Sequence, residues 1–192
     1  MNKYLVCLVW LLLSSCTIYK KIKVTYQSKE ELINFYNNQS ITNFLYAKDL
    51  MSLANLSEAD RSSIPQNFIF DENGIQVSHI DSKICQNPTL KFLNNFDENV
   101  NYPKTGYRIE DYLSHFKTSN SNISIESILK SKKIRIFLNT ATLAENVRSG
   151  KVNANSEAYE IYKNYKDNQK FEIYFVNLDL LKDWSNTINP KN

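Results

Sequence analysis

Chemistry in this chain has to come from few residues, because its 192 positions hold only two histidines and three cysteines. His79 or His115 could serve a hydrolytic triad only if the fold brought it to a serine and a carboxylate, and no G-x-S-x-G elbow marks such a serine. A protein zinc site needs three or four ligands, yet the chain has neither an H-x-x-x-H nor a C-x-x-C spacing. Asp71-Glu72-Asn73-Gly74 has the composition of a calcium loop but lacks the distal bidentate glutamate, and reads better as a turn. Asp97-Glu98 and Glu110-Asp111 are carboxylate pairs of the kind any solvated surface carries. With Gly 3 in the whole chain, a glycine-rich phosphate cradle is absent. No metal and no cofactor is expected. A formal net charge of +3, with 23 basic residues interspersed among 20 acidic ones, lacks the clustered cations that counterion release rewards, so no nucleic-acid partner is expected.

The amino terminus carries an address. Lys3 supplies a positive start, and Tyr4 to Leu13 is an apolar run of ten residues, about half of what a helix needs to cross a bilayer. Residues 1–15 therefore read as a signal peptide. Leu13-Ser14-Ser15-Cys16 resembles the lipobox of bacterial lipoproteins, in which an aliphatic residue and two small residues precede a lipidated cysteine. The resemblance implies that Cys16 becomes the first residue of the mature chain and carries a diacylglycerol thioether, usually with an N-acyl chain. Several acyl chains hold a protein to a bilayer firmly, at about 0.8 kcal/mol per buried methylene. Residues 16–27 would form the lipidated terminus and tether, with Lys20, Lys21 and Lys23 near anionic head groups. The expected location is the outer membrane, lipid-anchored and facing the periplasm. The membrane is the first expected partner, through Cys16, and an envelope protein or peptide the second.

Cysteine arithmetic follows. Cys7 leaves with the signal and the sulfur of Cys16 is consumed by lipid, which leaves Cys85 as the free thiol and no intrachain disulfide. Two readings of Cys85 stay open. It is a small buried hydrophobe, or it is the reacting group of a single-cysteine redox protein, which would need a lowered pKa and an accessible sulfur.

These groups have to be positioned by a body spanning 28–192, in which two sub-parts, 28–97 and 108–192, flank a polar connector at 97–107. The composition, 42% hydrophobic and 22% charged, suits a folded domain of ordinary size. Ser28 to Asn37 reads as an amphipathic helix opened by a capping serine with Glu31 three residues on. Asn43 to Leu50 reads as a strand and Met51 to Arg61 as a short helix. Asn67 to Asp71 and Ile75 to Ile80 bracket Glu72-Asn73-Gly74 as a hairpin, since Asn-Gly tolerates positive φ. Helices are expected at Pro88 to Phe96, Arg108 to Lys117 and Ser124 to Ser131. Lys133 to Asn139 alternates as a strand does. Ser156 to Lys166, with its tyrosines at 159, 162 and 165, reads as a helix capped by Ser156. Phe171 to Leu178 is a continuous apolar run suited to a central strand, and Asp179 to Ser185 reads as helical. Strands alternating with helices around one hairpin predict a mixed α/β fold, with helices packed on a mixed sheet.

Two stretches resemble the thioredoxin-like family. Ser63 to Val77, with Pro65 ahead of a strand and a D-x-x-G turn, resembles the segment in which that family places its cis-proline, strand, turn and next strand. The stretch KIRIFLNTATLAE, followed by EAYEIYKNYKDNQKFEIYFVNLD, looks like the family's opening strand, active-site helix and second strand. The order is inverted, which implies a permutation or two degenerate copies. The resemblance places Thr142 and Glu145 where the family carries the two cysteines of C-x-x-C. Disulfide exchange needs one thiolate to attack and a second thiol to resolve, which Thr142 and Glu145 cannot supply. The expectation is thus a redox-inactive, lipid-anchored binding or structural protein with no catalytic residue. The alternative is a thiol-dependent enzyme using Cys85.

Overall fold

A computed structural model describes residues 26–42, 44–64, 66–79, 88–120, 122–142, 148–149, 152–153 and 155–184. The elements, in chain order, are α1 (Lys29–Asn37), β1 (Phe44–Ala47), α2 (Leu50–Glu58), β2 (Asn67–Phe70), β3 (Ile75–Val77), α3 (Pro88–Asn94), β4 (Lys104–Arg108) and α4 (Ile109–Leu113). They continue with β5 (Phe116–Thr118), α5 (Ile125–Lys130), β6 (Ile134–Thr140), β7 (Arg148–Ser149), β8 (Val152–Asn153), α6 (Ser156–Tyr165), β9 (Phe171–Asn177) and a 3₁₀ turn at Lys182–Trp184. Strands β7 and β8 make a separate antiparallel ribbon. The remaining seven form one sheet in the order β4-β3-β2-β6-β9-β1-β5. Its centre, β6-β9-β1, is parallel, and β2, β3, β4 and β5 add antiparallel neighbours. The mixed α/β expectation is met.

Helices cover both faces. On one face α1, α3 and α6 bring Leu32, Tyr36, Leu90, Leu93, Ala158 and Ile161 onto Ile69, Ile136, Leu138 and Phe175. On the other, α2, α4 and α5 bring Leu56, Ile109, Tyr112, Leu113 and Ile128 onto Phe68, Phe70, Phe137 and Val176. Central strands sandwiched in this way must be apolar on both sides, which is why FEIYFVNL reads as a run. β9 lies between β6 and β1, in register with β6 from Ile134↔Phe171 to Thr140↔Asn177.

Local chemistry sets the ends. Ser28 and Glu31 form the expected capping box: the Ser28 hydroxyl accepts from the Glu31 N–H, and the Glu31 carboxylate accepts from the Ser28 N–H. Lys182 also binds that carboxylate and, as the largest influence, pulls its pKa down to about 2. α2 is closed by Asp60 in the left-handed region, φ 53°, with the Arg61 N–H returning to the Leu56 carbonyl. In the hairpin only Gly74 takes positive φ, 77°. Asn73 does not; instead Asp71 Oδ1 accepts from the N–H groups of Asn73 and Ile75. The tight approach of Ile109 leaves no room for a Cβ at Gly74.

Several expectations are corrected. Lys104 to Arg108, expected as the end of the connector and the first residue of a helix, is a strand: its residues are mostly exposed, so no apolar pattern announces it, and pairing to β3 creates it. The helix expected over Arg108 to Lys117 stops at Leu113, and Phe116 to Thr118 turns into β5 because β1 offers it an edge. Ser156 is not the cap of α6; Asn155 holds that position without a side-chain cap bond and spends its amide elsewhere. The helix expected after Asp179 is a single 3₁₀ turn. No helix among the described residues is long and apolar enough to cross a membrane.

Candidate functional site

The carboxyl ends of parallel strands are where open α/β sheets usually place ligands, and Thr142 lies just past the end of β6. Its surroundings are a network of hydrogen bonds. The Thr142 N–H donates to Asp179 Oδ2 at 2.8 Å, and Asn177 Nδ2 donates to the same oxygen at 2.7 Å. Asn177 Nδ2 also reaches the Tyr36 hydroxyl at 3.3 Å, which lies 2.7 Å from Thr140 Oγ1. Beside it, Asn155 clamps Ala141 from both sides, its amide donating to the carbonyl and its oxygen accepting from the N–H. Burial pushes the Tyr36 phenol far above its usual range, so it stays a neutral hydroxyl in this network. The Thr142 hydroxyl is buried without a hydrogen-bond partner among the described residues.

Asn139 ties this strand end to the segment before β2. Its amide donates to the carbonyls of Arg61 and Ser63, its N–H donates to the Gln66 carbonyl, and it accepts from the Tyr112 hydroxyl. The two stretches read as related to one family thus meet along β2 and β6, with Asn67 opposite Leu138. Of the residues singled out in the sequence, Thr142 is the one so placed; Cys16, Pro65, Cys85 and Glu145 lie outside the described residues.

A second polar cluster was not legible in the sequence. Glu157, buried on α6, accepts from the Leu90 N–H and from Asn67 Nδ2, and so neutralises donors at the start of α3. Asn67 also donates to Thr89 Oγ1, which is 3.1 Å from His79 Nε2. Burial raises the Glu157 pKa and lowers that of His79. His79 sits just past β3 and His115 in the turn before β5. Arg135 is the other surprise. The alternation of β6 suggested a half-exposed strand, yet Arg135 is 1% exposed and donates to the carbonyls of Asp71 and Ser131.

A concavity with room for a ligand lies at the opposite end of the sheet. A groove of about 560 Å³ opens where β6 and β9 begin, between the first residue of β4 and the segment after α3. Phe96 and Tyr102, stacked at 5.6 Å, form an aromatic wall, and Val100 beside them is 49% exposed. Two lysines in the lining are engaged: Lys104 with Asp71 at 2.5 Å and Lys170 with Glu98 at 3.0 Å. Lys132 makes no ion pair among the described residues, and Lys133 reaches only Glu172, at 3.9 Å. Among the described residues, no three His, Cys, Asp or Glu side chains converge as a metal site. No protein-family model, curated protein or solved structure matches the chain.

Proposed function

We propose that this chain is a lipid-anchored binding protein of the bacterial envelope, built on a redox-inactive, permuted thioredoxin-like core. The observation that carries the reading is the Thr142 backbone N–H held by Asp179, at the position where the resemblance puts the first cysteine of a dithiol. That carboxylate completes a buried hydrogen-bond network, an arrangement that serves structure and offers no thiolate. Strand order supports the core: β6, α6 and β9 supply the strand, helix and strand of the resemblance, and the β2–β3 hairpin lies antiparallel against β6. Binding then falls to the groove at the far end, whose volume is in the range of small-molecule pockets. The amino-terminal LSSC supports the anchor.

The test expresses the full chain in a bacterium with an outer membrane and labels it with an alkyne fatty acid. The expected result is label on the native chain, mass-spectrometric evidence of a diacylglyceryl cysteine at residue 16, and loss of both in Cys16→Ala. An unmodified amino terminus would overturn the anchor. Turnover of an insulin disulfide by the purified chain would overturn the redox-inactive core.

A further inference from the structure

We infer that the groove at the amino ends of β6 and β9 binds a small solute carrying an oxyanion, a phosphate or carboxylate, on a planar apolar body. Two features of the lining converge on that chemistry. Its acids are mostly spent, since Asp71 is paired with Lys104 and Glu98 with Lys170, while Glu72 has no ion pair among the described residues. Lys132 and Lys133, by contrast, stand adjacent at the start of β6 with one ion pair between them, at the 3.9 Å limit and to a residue outside the groove. An unpaired ammonium group beside a second one held only at the distance limit supplies point charges suited to an oxyanion. The same lining holds the Phe96–Tyr102 stack and the exposed Val100. Partly buried aromatic rings and an exposed valine in the same lining as the cations suit an apolar body such as a ring, and a volume of about 560 Å³ fits a metabolite-sized molecule.

Position decides the source of the anion, and this step rests on the lipid-anchor reading. The chain enters the body at Gln27, whose N–H donates to the Leu180 carbonyl and whose carbonyl accepts from the Lys182 N–H. That is beyond the carboxyl end of β9, whereas the groove is lined by Gln169 and Lys170 at its amino end. Seven residues of strand separate the two, roughly 20 Å at strand rise. The point where the chain enters the body and the groove are therefore about that far apart along the sheet, a separation that favours a dissolved ligand over a phospholipid head group.

The experiment titrates the full chain in neutral detergent with phenyl phosphate, following backbone amide signals, with inorganic phosphate and phenol as comparison probes. Expected are saturable shifts at residues 99–102 and 132–134, with affinity for phenyl phosphate at least tenfold above either fragment. Lys132→Glu with Lys133→Glu is expected to weaken binding at least tenfold, and Val100→Trp to block it without altering charge. Unchanged melting temperatures would show that both variants fold. Equal affinity for inorganic phosphate, shifts spread over surface lysines, or a charge variant within twofold of native would overturn the assignment. Phosphatidylglycerol vesicles separate the sources: competition by them would overturn the dissolved ligand. Repeating the titration on Cys16→Ala distinguishes the two readings, since loss of the anchor is expected to leave phenyl phosphate binding intact.

Discussion

Tyr36 on α1 and Thr140 at the end of β6 share a buried hydrogen bond of 2.7 Å across 104 residues of sequence. Because the Thr140 hydroxyl spends its proton on the Val176 carbonyl, the phenol is the donor to Thr140, and it accepts in turn from Asn177. One hydroxyl thus fastens the first helix to both central strands.

Tyr36→Phe keeps the packing and removes the donor. The expected cost is about 1–2 kcal/mol, since Thr140 and Asn177 keep their other partners, whereas Tyr36→Ala should cost about 3–5 kcal/mol through the cavity it opens. Urea denaturation midpoints check both, and a Phe variant as damaging as the Ala variant would contradict the assignment.

Gly74→Ala should be worse than its one added carbon suggests. The backbone there has φ 77°, and the new Cβ would lie 2.6 Å from Ile109 Cγ2. Left-handed backbone costs about 1–3 kcal/mol outside glycine, before the clash is counted. A melting temperature within a degree or so of the native chain would show that the hairpin relaxes freely.

Stability should carry an opposed pair of pH signatures from one cluster. Burial raises the Glu157 pKa against the donors that lower it, and nearby Glu160 adds to the rise. The folded chain then holds this proton more tightly than the unfolded one. The contribution is fully present below the ordinary value of 4.5 and is lost as pH rises through the raised value. Glu157→Gln should therefore gain on the native chain as pH rises above 4.5. His79 has the other sign: burial lowers its pKa, so its contribution is present above 6.5 and lost as pH falls through the lowered value. His79→Gln should flatten that acid-side loss. Denaturation midpoints across the range decide, and a pH-independent gap between native and Glu157→Gln would remove the first claim.

Ser28→Ala tests the start of α1. Loss of the capping box should cost about 1 kcal/mol, and Ser28→Asp should recover most of it because aspartate also caps. Failure of the aspartate to rescue would mean that the Ser28 hydroxyl serves something other than the cap.

Legibility tracked how local each signal was. The capping box of α1, the D-x-N-G turn and the apolar run of β9 depend on neighbours in sequence, and their positions were readable. β4 and β5 were not, since KTGYR and FKT become strands only by pairing with β3 and β1. Of the candidate site, Thr142 was legible as a strand end. The groove was not legible, because nothing in the sequence says that Phe96 and Tyr102 share a lining with Lys132 and Lys133.

From the amino-acid order alone came the mixed α/β class, the lack of a C-x-x-C pair and the resemblance of LSSC to a lipobox, each a matter of composition or of adjacent residues. Tertiary structure decided which polar groups went inside. Arg135, Glu157 and Asn139 look like surface residues in the sequence, yet each is buried where a carbonyl or N–H from a distant segment meets it. Burying a polar side chain costs least where partners meet it, and here those partners are supplied by the packing of remote elements.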